Sequence, residues 1–344
     1  MDIIKKEFFP IEAERKKMRH ASSLLALPDG SIMGAYFAGT YEGEADTNIY
    51  VTIRSPEGQW SPSRKISTEE NIAHWNPVLA LDSNRRISLF YKLGSAISKW
   101  KTIVRRSYDY GLSWTPAQEL VPGDEGGRGP VRNKVLITKE RIWIAGASIE
   151  RETSWTAFVD RSFDEGNTWI RSNTLTISDN HQALHCPQTS VNFNNSTIAV
   201  TAQSFKGKGI IQPTLWEDSQ HNIHMLLRST EGVAYRSDSE DQGASWSPPY
   251  PTSIPNNNAA LDIISLDDGC LILAYNPVKE NWGKRTPLIL SISQDNGFTW
   301  KKALILEEGN GEYSYPAIIC KENTIYVSYT KNRDAIVFVQ ISYP

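Results

Sequence analysis

The chain has 344 residues, 40% hydrophobic and 22% charged, the proportions of a folded globular protein with a full core and not those of a disordered one. Its formal net charge of −3 gives no basic footprint for nucleic acid or an anionic membrane. Cys186, Cys270 and Cys320 cannot form a complete disulfide set and fit no metal-ligand spacing, so free thiols in a reducing compartment are expected.

The start, Met1-Asp2-Ile3-Ile4-Lys5-Lys6, has no apolar core of a signal peptide, and no later run reaches transmembrane length. A cytoplasmic protein is the expectation. From there the chain reads as strands. Apolar residues alternate with period two in Ser31–Phe37, Arg86–Tyr91, Cys270–Tyr275 and Thr324–Tyr329, as half-buried strands require. Each follows an earlier short strand, which gives six inner hairpins opening near Arg19, Asn76, Arg132, Gln212, Asn257 and Tyr313.

A repeat punctuates these hairpins. Ser107–Trp114, Ser162–Trp169, Ser239–Trp246 and Ser293–Trp300 all read Ser-x-Asp-x-Gly-x-Ser/Thr-Trp, and a shortened copy, Ser55–Trp60, lies one period upstream. This is the chemistry of a tight turn. Asp accepts backbone hydrogen bonds across it, Gly supplies φ > 0, and Trp packs beneath. Turn chemistry accounts for every position, so these aspartates are read as structural. Six hairpins, each continuing into a further strand pair, predict an all-β fold, a six-bladed β-propeller occupying 1–344 as a single domain. The last blade lacks an outer strand after Ala335–Ser342, and Ile3–Phe9 is the segment that could supply it.

The Asp boxes and their spacing resemble the sialidase (neuraminidase) superfamily, in particular bacterial proteins with BNR repeats, over essentially the whole chain. The resemblance implies an exo-acting, retaining glycoside hydrolase that removes a terminal sialic acid or related keto-sugar acid, with no metal and no cofactor. Such an enzyme uses three arginines for the sugar carboxylate, an aspartate as acid and base, and a tyrosine nucleophile activated by a glutamate. Arg19, Arg228 and Arg285 stand at the matching arginine positions, although His20 and Ala21 depart from the family pattern after the first. Guanidinium suits this work because its planar fork meets a carboxylate with two parallel bonds.

Asp46 matches the acid/base position, with Glu42 and Glu44 as rivals on the same loop, and Glu217 matches the glutamate. Tyr313 is the expected nucleophile and Tyr315 its alternative, since strict alternation puts both on one strand face. A neutral phenol avoids the repulsion that a carboxylate nucleophile would meet beside the substrate's own carboxylate. Asn76, Arg132, Gln212 and Asn257, at inner-strand starts, either read sugar hydroxyls or satisfy backbone groups. His74 stands in the same kind of place, and His181 and His185, flanking Cys186, are read as a surface loop. Two other functions stay open. One is a propeller glycosidase or lyase acting on a uronic-acid- or rhamnose-containing glycan, with His20 or His74 prominent. The other is a glycan-binding propeller without catalysis. In each case the partner is an acidic carbohydrate.

Overall fold

The computed structural model describes residues 1–124, 126–177 and 207–343. The alternating segments become strands, as the apolar period requires. After β1 (Asp2–Phe8), the first sheet is β2 (Met18–Ala26), β3 (Ile32–Gly39), β4 (Asn48–Arg54) and β5 (Arg64–Lys65). The second is β6 (His74–Leu81), β7 (Ile87–Leu93), β8 (Lys101–Ser107) and β9 (Gln118–Glu119); the third is β10 (Leu136–Ile137), β11 (Trp143–Glu150), β12 (Ser154–Ser162) and β13 (Ile170–Arg171). The fourth is β14 (Lys208–Glu217), β15 (Ile223–Ser229), β16 (Val233–Ser239) and β17 (Tyr250–Pro255); the fifth is β18 (Asp262–Ser265), β19 (Leu271–Tyr275), β20 (Leu288–Ser293) and β21 (Lys301–Glu307). Last come β22 (Tyr313–Lys321), β23 (Thr324–Lys331) and β24 (Ala335–Ser342).

Within each sheet neighbouring strands are antiparallel and follow chain order. A short parallel pairing of β12 with β14 ties the third sheet to the fourth. The sixth sheet takes its fourth strand from the other end of the chain. β1 pairs antiparallel with β24, from Asp2 opposite Ser342 to Phe8 opposite Val337, as the missing outer strand led one to expect.

Six apolar clusters join consecutive sheets. Met33, Phe37, Trp75 and Leu89 link the first and second; Val78, Phe90 and Trp143 the second and third; Ile144, Val159, Leu215 and Met225 the third and fourth. Trp216, Leu226, Leu261 and Ile263 link the fourth and fifth, and Ile272, Leu290, Ile318 and Val327 the fifth and sixth. The last cluster, Phe9, Leu24, Tyr36 and Phe338, packs the sixth sheet on the first. Burial of these side chains, worth about 1.5–3 kcal/mol each, makes the faces between sheets the core.

The four full boxes form the turns after β8, β12, β16 and β20. In each, the serine hydroxyl donates to the aspartate at 2.8 Å and accepts the glycine N–H, at 2.8–2.9 Å. The aspartate's other bonds come from the Ser/Thr before Trp, through both N–H and hydroxyl. Both the glycine and the residue before it lie at positive φ, as at Tyr110 (55°) and Gly111 (89°), the left-handed pair of a tight hairpin. The aspartates thus serve the turn.

Candidate active site

Antiparallel order sorts the connections by the end of the sheets at which they fall. The starts of first strands, and the links from second to third strands, share one end; the boxes and the links from first to second strands share the other. At the first end four inner strands carry the same irregularity. Register slips between His20 and Ser23, Trp75 and Val78, Ile211 and Thr214, and Ser314 and Ala317. In each slip the first extra residue has positive φ: Ala21 (52°), Asn76 (42°), Gln212 (55°) and Tyr315 (55°). Such bulges re-aim a side chain at the cost of one ladder step, and three of the four precede proline, which has no N–H for the ladder to lose.

The bulge separates the two tyrosines. Tyr313 belongs to the apolar cluster between the fifth and sixth sheets, its hydroxyl reaching only the Asn310 carbonyl at 3.4 Å. Tyr315 turns instead to a group of arginines. Arg228, at the end of β15, donates to Tyr315 Oη at 3.0 Å and to Gln212 Oε1 at 3.2 Å, while its Nε donates to Asn258 Oδ1 at 2.6 Å. The guanidinium of Arg285 lies 5.5 Å from the Tyr315 ring centroid and that of Arg132 5.2 Å. Arg132 is fully buried and donates to the Tyr315, Pro316 and Ser22 carbonyls, so it fixes the bulge. Trp155 and Trp282 flank Arg228, with centroids 5.8 and 6.0 Å from its guanidinium carbon.

His20, fully buried, stacks at 4.2 Å between centroids on Tyr315. Its Nδ1 meets Thr330 Oγ1 at 2.9 Å, and its Nε2 has no partner. Burial, then the charges of Arg333, Arg285, Arg132 and Arg228, push its pKa well below the usual histidine range, so the ring is neutral at pH 7. Arg333, on the turn between β23 and β24, pairs with Glu42 and Glu312; Arg285 pairs with Glu312 at 3.1 Å. Glu150, ending β11, is raised above the ordinary glutamate range by desolvation, against the pull of Arg228. Sequence reading missed Arg333, Glu150, Glu312, Trp155 and Trp282. The sign that could have found most of them is topological: Glu150, Trp282 and Arg333 all lie on or next to links between second and third strands, as Glu42 and Arg285 do.

Two sequence expectations need correction on geometry. Glu217 does not join the tyrosines. It lies five residues along β14 from Gln212, about 16 Å at ~3.3 Å per residue, where it accepts from the Lys139 N–H and pairs with His221. The residue beside Arg228 and Tyr315 is the amide of Gln212. Nor does Arg19 offer a free guanidinium, because it is buried against Glu12 at 2.6 Å and donates to the Asp334 carbonyl at 2.8 Å.

Asp46 lies at the expected end, but its carboxylate is held by Thr40 through N–H and hydroxyl at 2.9–3.1 Å. It lines a separate cavity of about 710 Å³ with Glu44 and Glu69; Glu42 is the residue of that loop that reaches an arginine. His74 is tied to the Thr47 carbonyl and Glu69. Asn257 donates to the Lys284 carbonyl at 2.7 Å, which anchors the loop before Arg285, and Asn76 is buried at its bulge. His181, His185 and Cys186 lie outside the described residues. Among the described residues no group of three or more His, Cys, Asp or Glu could hold a metal ion.

The arrangement is therefore a cluster of arginines flanked by aromatic rings, with one phenol, Tyr315, and three nearby carboxyls, Glu42, Glu150 and Glu312. It can bind an organic anion by charge-assisted hydrogen bonds, stabilise negative charge on a phenol oxygen and offer, in Glu150, a carboxyl whose hold on its proton is strengthened by burial.

An all-β chain of repeated sheets with an arginine cluster at one end defines the class, that of BNR-repeat proteins with a sialidase-like fold. Residues 30–327 match the BNR repeat-like domain family, and the chain belongs to it. No curated protein matches it in sequence. Among solved structures it is similar to a protein of unknown function from Dyadobacter fermentans, with TM-score 0.75 and 14% identity over 100% of this chain and 99% of that one. It is also similar to the Hadza microbial sialidase Hz136, with TM-score 0.73 and 15% identity over 96% of this chain and 66% of that one. A third is Trypanosoma rangeli sialidase in complex with the inhibitor DANA, with TM-score 0.69 and 11% identity over 97% and 58%. This chain thus spans 66% and 58% of the lengths of these two sialidase chains.

Proposed function

We propose that this chain is a six-bladed β-propeller glycoside hydrolase that releases a terminal sugar acid, a sialic acid or related keto-sugar acid, from a glycan with retention. The propeller reading is supported by six clusters joining the sheets in a cycle and by β1 completing the sixth sheet. The observation that carries the chemical reading is the convergence of Arg228 and Arg285 on Tyr315. Those arginines hold the sugar carboxylate, Tyr315 attacks the anomeric carbon as its proton passes to water, and Arg228, already donating to the phenol oxygen, offsets the charge that develops there. Glu150 takes the role assigned from sequence to Asp46: it protonates the departing oxygen, then accepts a proton from the water that frees the enzyme.

Release of 4-methylumbelliferone from its sialoside tests this. Tyr315→Phe is expected to lower kcat at least about 100-fold, the scale on which catalytic groups contribute, while Tyr313→Phe keeps most of it. A wild-type rate in Tyr315→Phe removes Tyr315 from the reaction.

One observation favours a second reading. Gln212 beside the phenol cannot accept a proton, whereas the neutral ring of His20 stacks on Tyr315. Elimination from a uronate needs a base for the proton next to an arginine-bound carboxylate, and a His–Tyr pair supplies it. An ultraviolet-absorbing unsaturated product from uronate glycans, with no sialoside turnover, would select this reading.

A further inference from the structure

Three arginines of the cluster share a pattern that Arg19 breaks. Arg228 spends Nε and Nη1 on Asn258, Gln212 and Tyr315. Arg285 spends Nη1 on Glu312 and Ser314. Arg333, only 3% exposed, spends Nε on Glu312 and Nη1 on Glu42. No described residue accepts from the Nη2 of any of the three, and none of these Nη2 atoms is a buried, unpaired nitrogen as Arg19 Nε is. Arg19 has both terminal nitrogens committed, to Glu12 and to the Asp334 carbonyl. Arg333 also acts on His20, beneath Tyr315, more strongly than any other charge.

We infer that Arg333, not Arg19, is the third arm of the anion receptor, and that Glu42 is a cap on that arm which an incoming sugar carboxylate displaces. The inference rests on the sugar-acid reading above. Glu312 bridges Arg285 and Arg333, bonding both within 3.2 Å. One half-buried carboxylate between two guanidiniums offsets their repulsion and fixes their relative orientation. Glu42, by contrast, comes from the link between β3 and β4, so it can leave without disturbing that pair. Its side chain makes the same charge-assisted contact that a ligand carboxylate would make, which makes the two competitors for one guanidinium.

Calorimetric titration of the full chain with DANA tests both parts without requiring turnover. Arg333→Gln is expected to weaken binding about tenfold or more, and Arg333→Lys, which keeps the charge but not the planar fork, by a smaller factor. Glu42→Gln is expected to tighten binding several-fold, and that gain should vanish in the Arg333→Gln background, a coupling that mere loosening of the loop would not produce. Arg19→Met combined with Glu12→Gln, which removes both partners of a buried pair and so leaves no stranded charge, should bind like wild type. Wild-type affinity in Arg333→Gln, together with loss of binding in the Arg19 double variant, overturns the inference and leaves the sugar-acid reading standing. Absence of DANA binding by the wild-type chain overturns both.

Discussion

Lys92 on β7 is fully buried, and its ammonium donates to two uncharged oxygens, Thr102 Oγ1 and the Arg128 carbonyl, each at 2.7 Å. Burial pulls its pKa from 10.5 to about 8, with the more distant Asp124 and Asp160 opposing. Between about pH 8 and 10.5 the unfolded chain holds this proton and the folded chain does not, so the contribution to stability rises with pH across that window. Below pH 8 both states are protonated and the penalty is present in full. Lys92→Met is therefore expected to raise stability at pH 7 by about 1–3 kcal/mol, and the gain should shrink towards zero near pH 10.5. Urea unfolding at both pH values checks this; a gain independent of pH would mean that packing, not charge, was responsible. At this scale the resemblance pointed to Arg228 and Arg285, and both stand beside Tyr315. It misplaced Glu217 because the link from a first to a second strand lies at the far end. Sequence reading preferred Tyr313 on the resemblance and kept Tyr315 as the alternative because alternation puts both on one face of an unbroken ladder; the bulge at Tyr315 breaks that ladder.

Bulge and box fall at opposite ends of the sheets, and the second and fourth sheets carry both. The X-Pro pairs Asn76-Pro77, Gln212-Pro213 and Tyr315-Pro316 stand at three of the bulges. Their meaning depends on a partner strand that advances two residues while they advance three, which no local pattern specifies. The boxes were fully legible because the hydrogen bonds that shape their turns are local. Desolvation is the largest single effect on Asp164 and raises its pKa, but the hydrogen bonds from Thr168, Ser162 and Asn167 together outweigh it and hold the carboxyl below the ordinary aspartate range. Removing its oxygens strands the donors of one turn, so Asp164→Ala is expected to cost about 1–2 kcal/mol. The urea midpoint should fall while KM and kcat stay unchanged. A loss of kcat without loss of stability would contradict the structural role of the box.

For the whole molecule, the proposed ring depends on its seam. Five of the six clusters join sheets that are consecutive in the chain; the last, between the sixth sheet and the first, is closed by Phe9 just beyond β1. Phe9 is 4% exposed and packs on Tyr36, Trp60 and Phe338 at centroid distances of 4.7–6.5 Å. It also lies so close to Gly34 that a Cβ there would come within 2.4 Å of its ring. Phe9→Ala is expected to cost about 3–5 kcal/mol, the range for truncating a buried phenylalanine. Deleting residues 1–10 removes that ring together with the whole β1–β24 ladder, and leaves β24 as an unpaired edge open to association. If the ring folds as one cooperative unit, the deletion should lower the thermal midpoint far more than Phe9→Ala does. Aggregation should accompany it, and binding of DANA should fall, because Arg333 sits on the turn that leads into β24. A truncated chain with a near-native midpoint and intact binding would mean that the sixth sheet stands on three strands, and that closure by the amino-terminal strand does not govern the site.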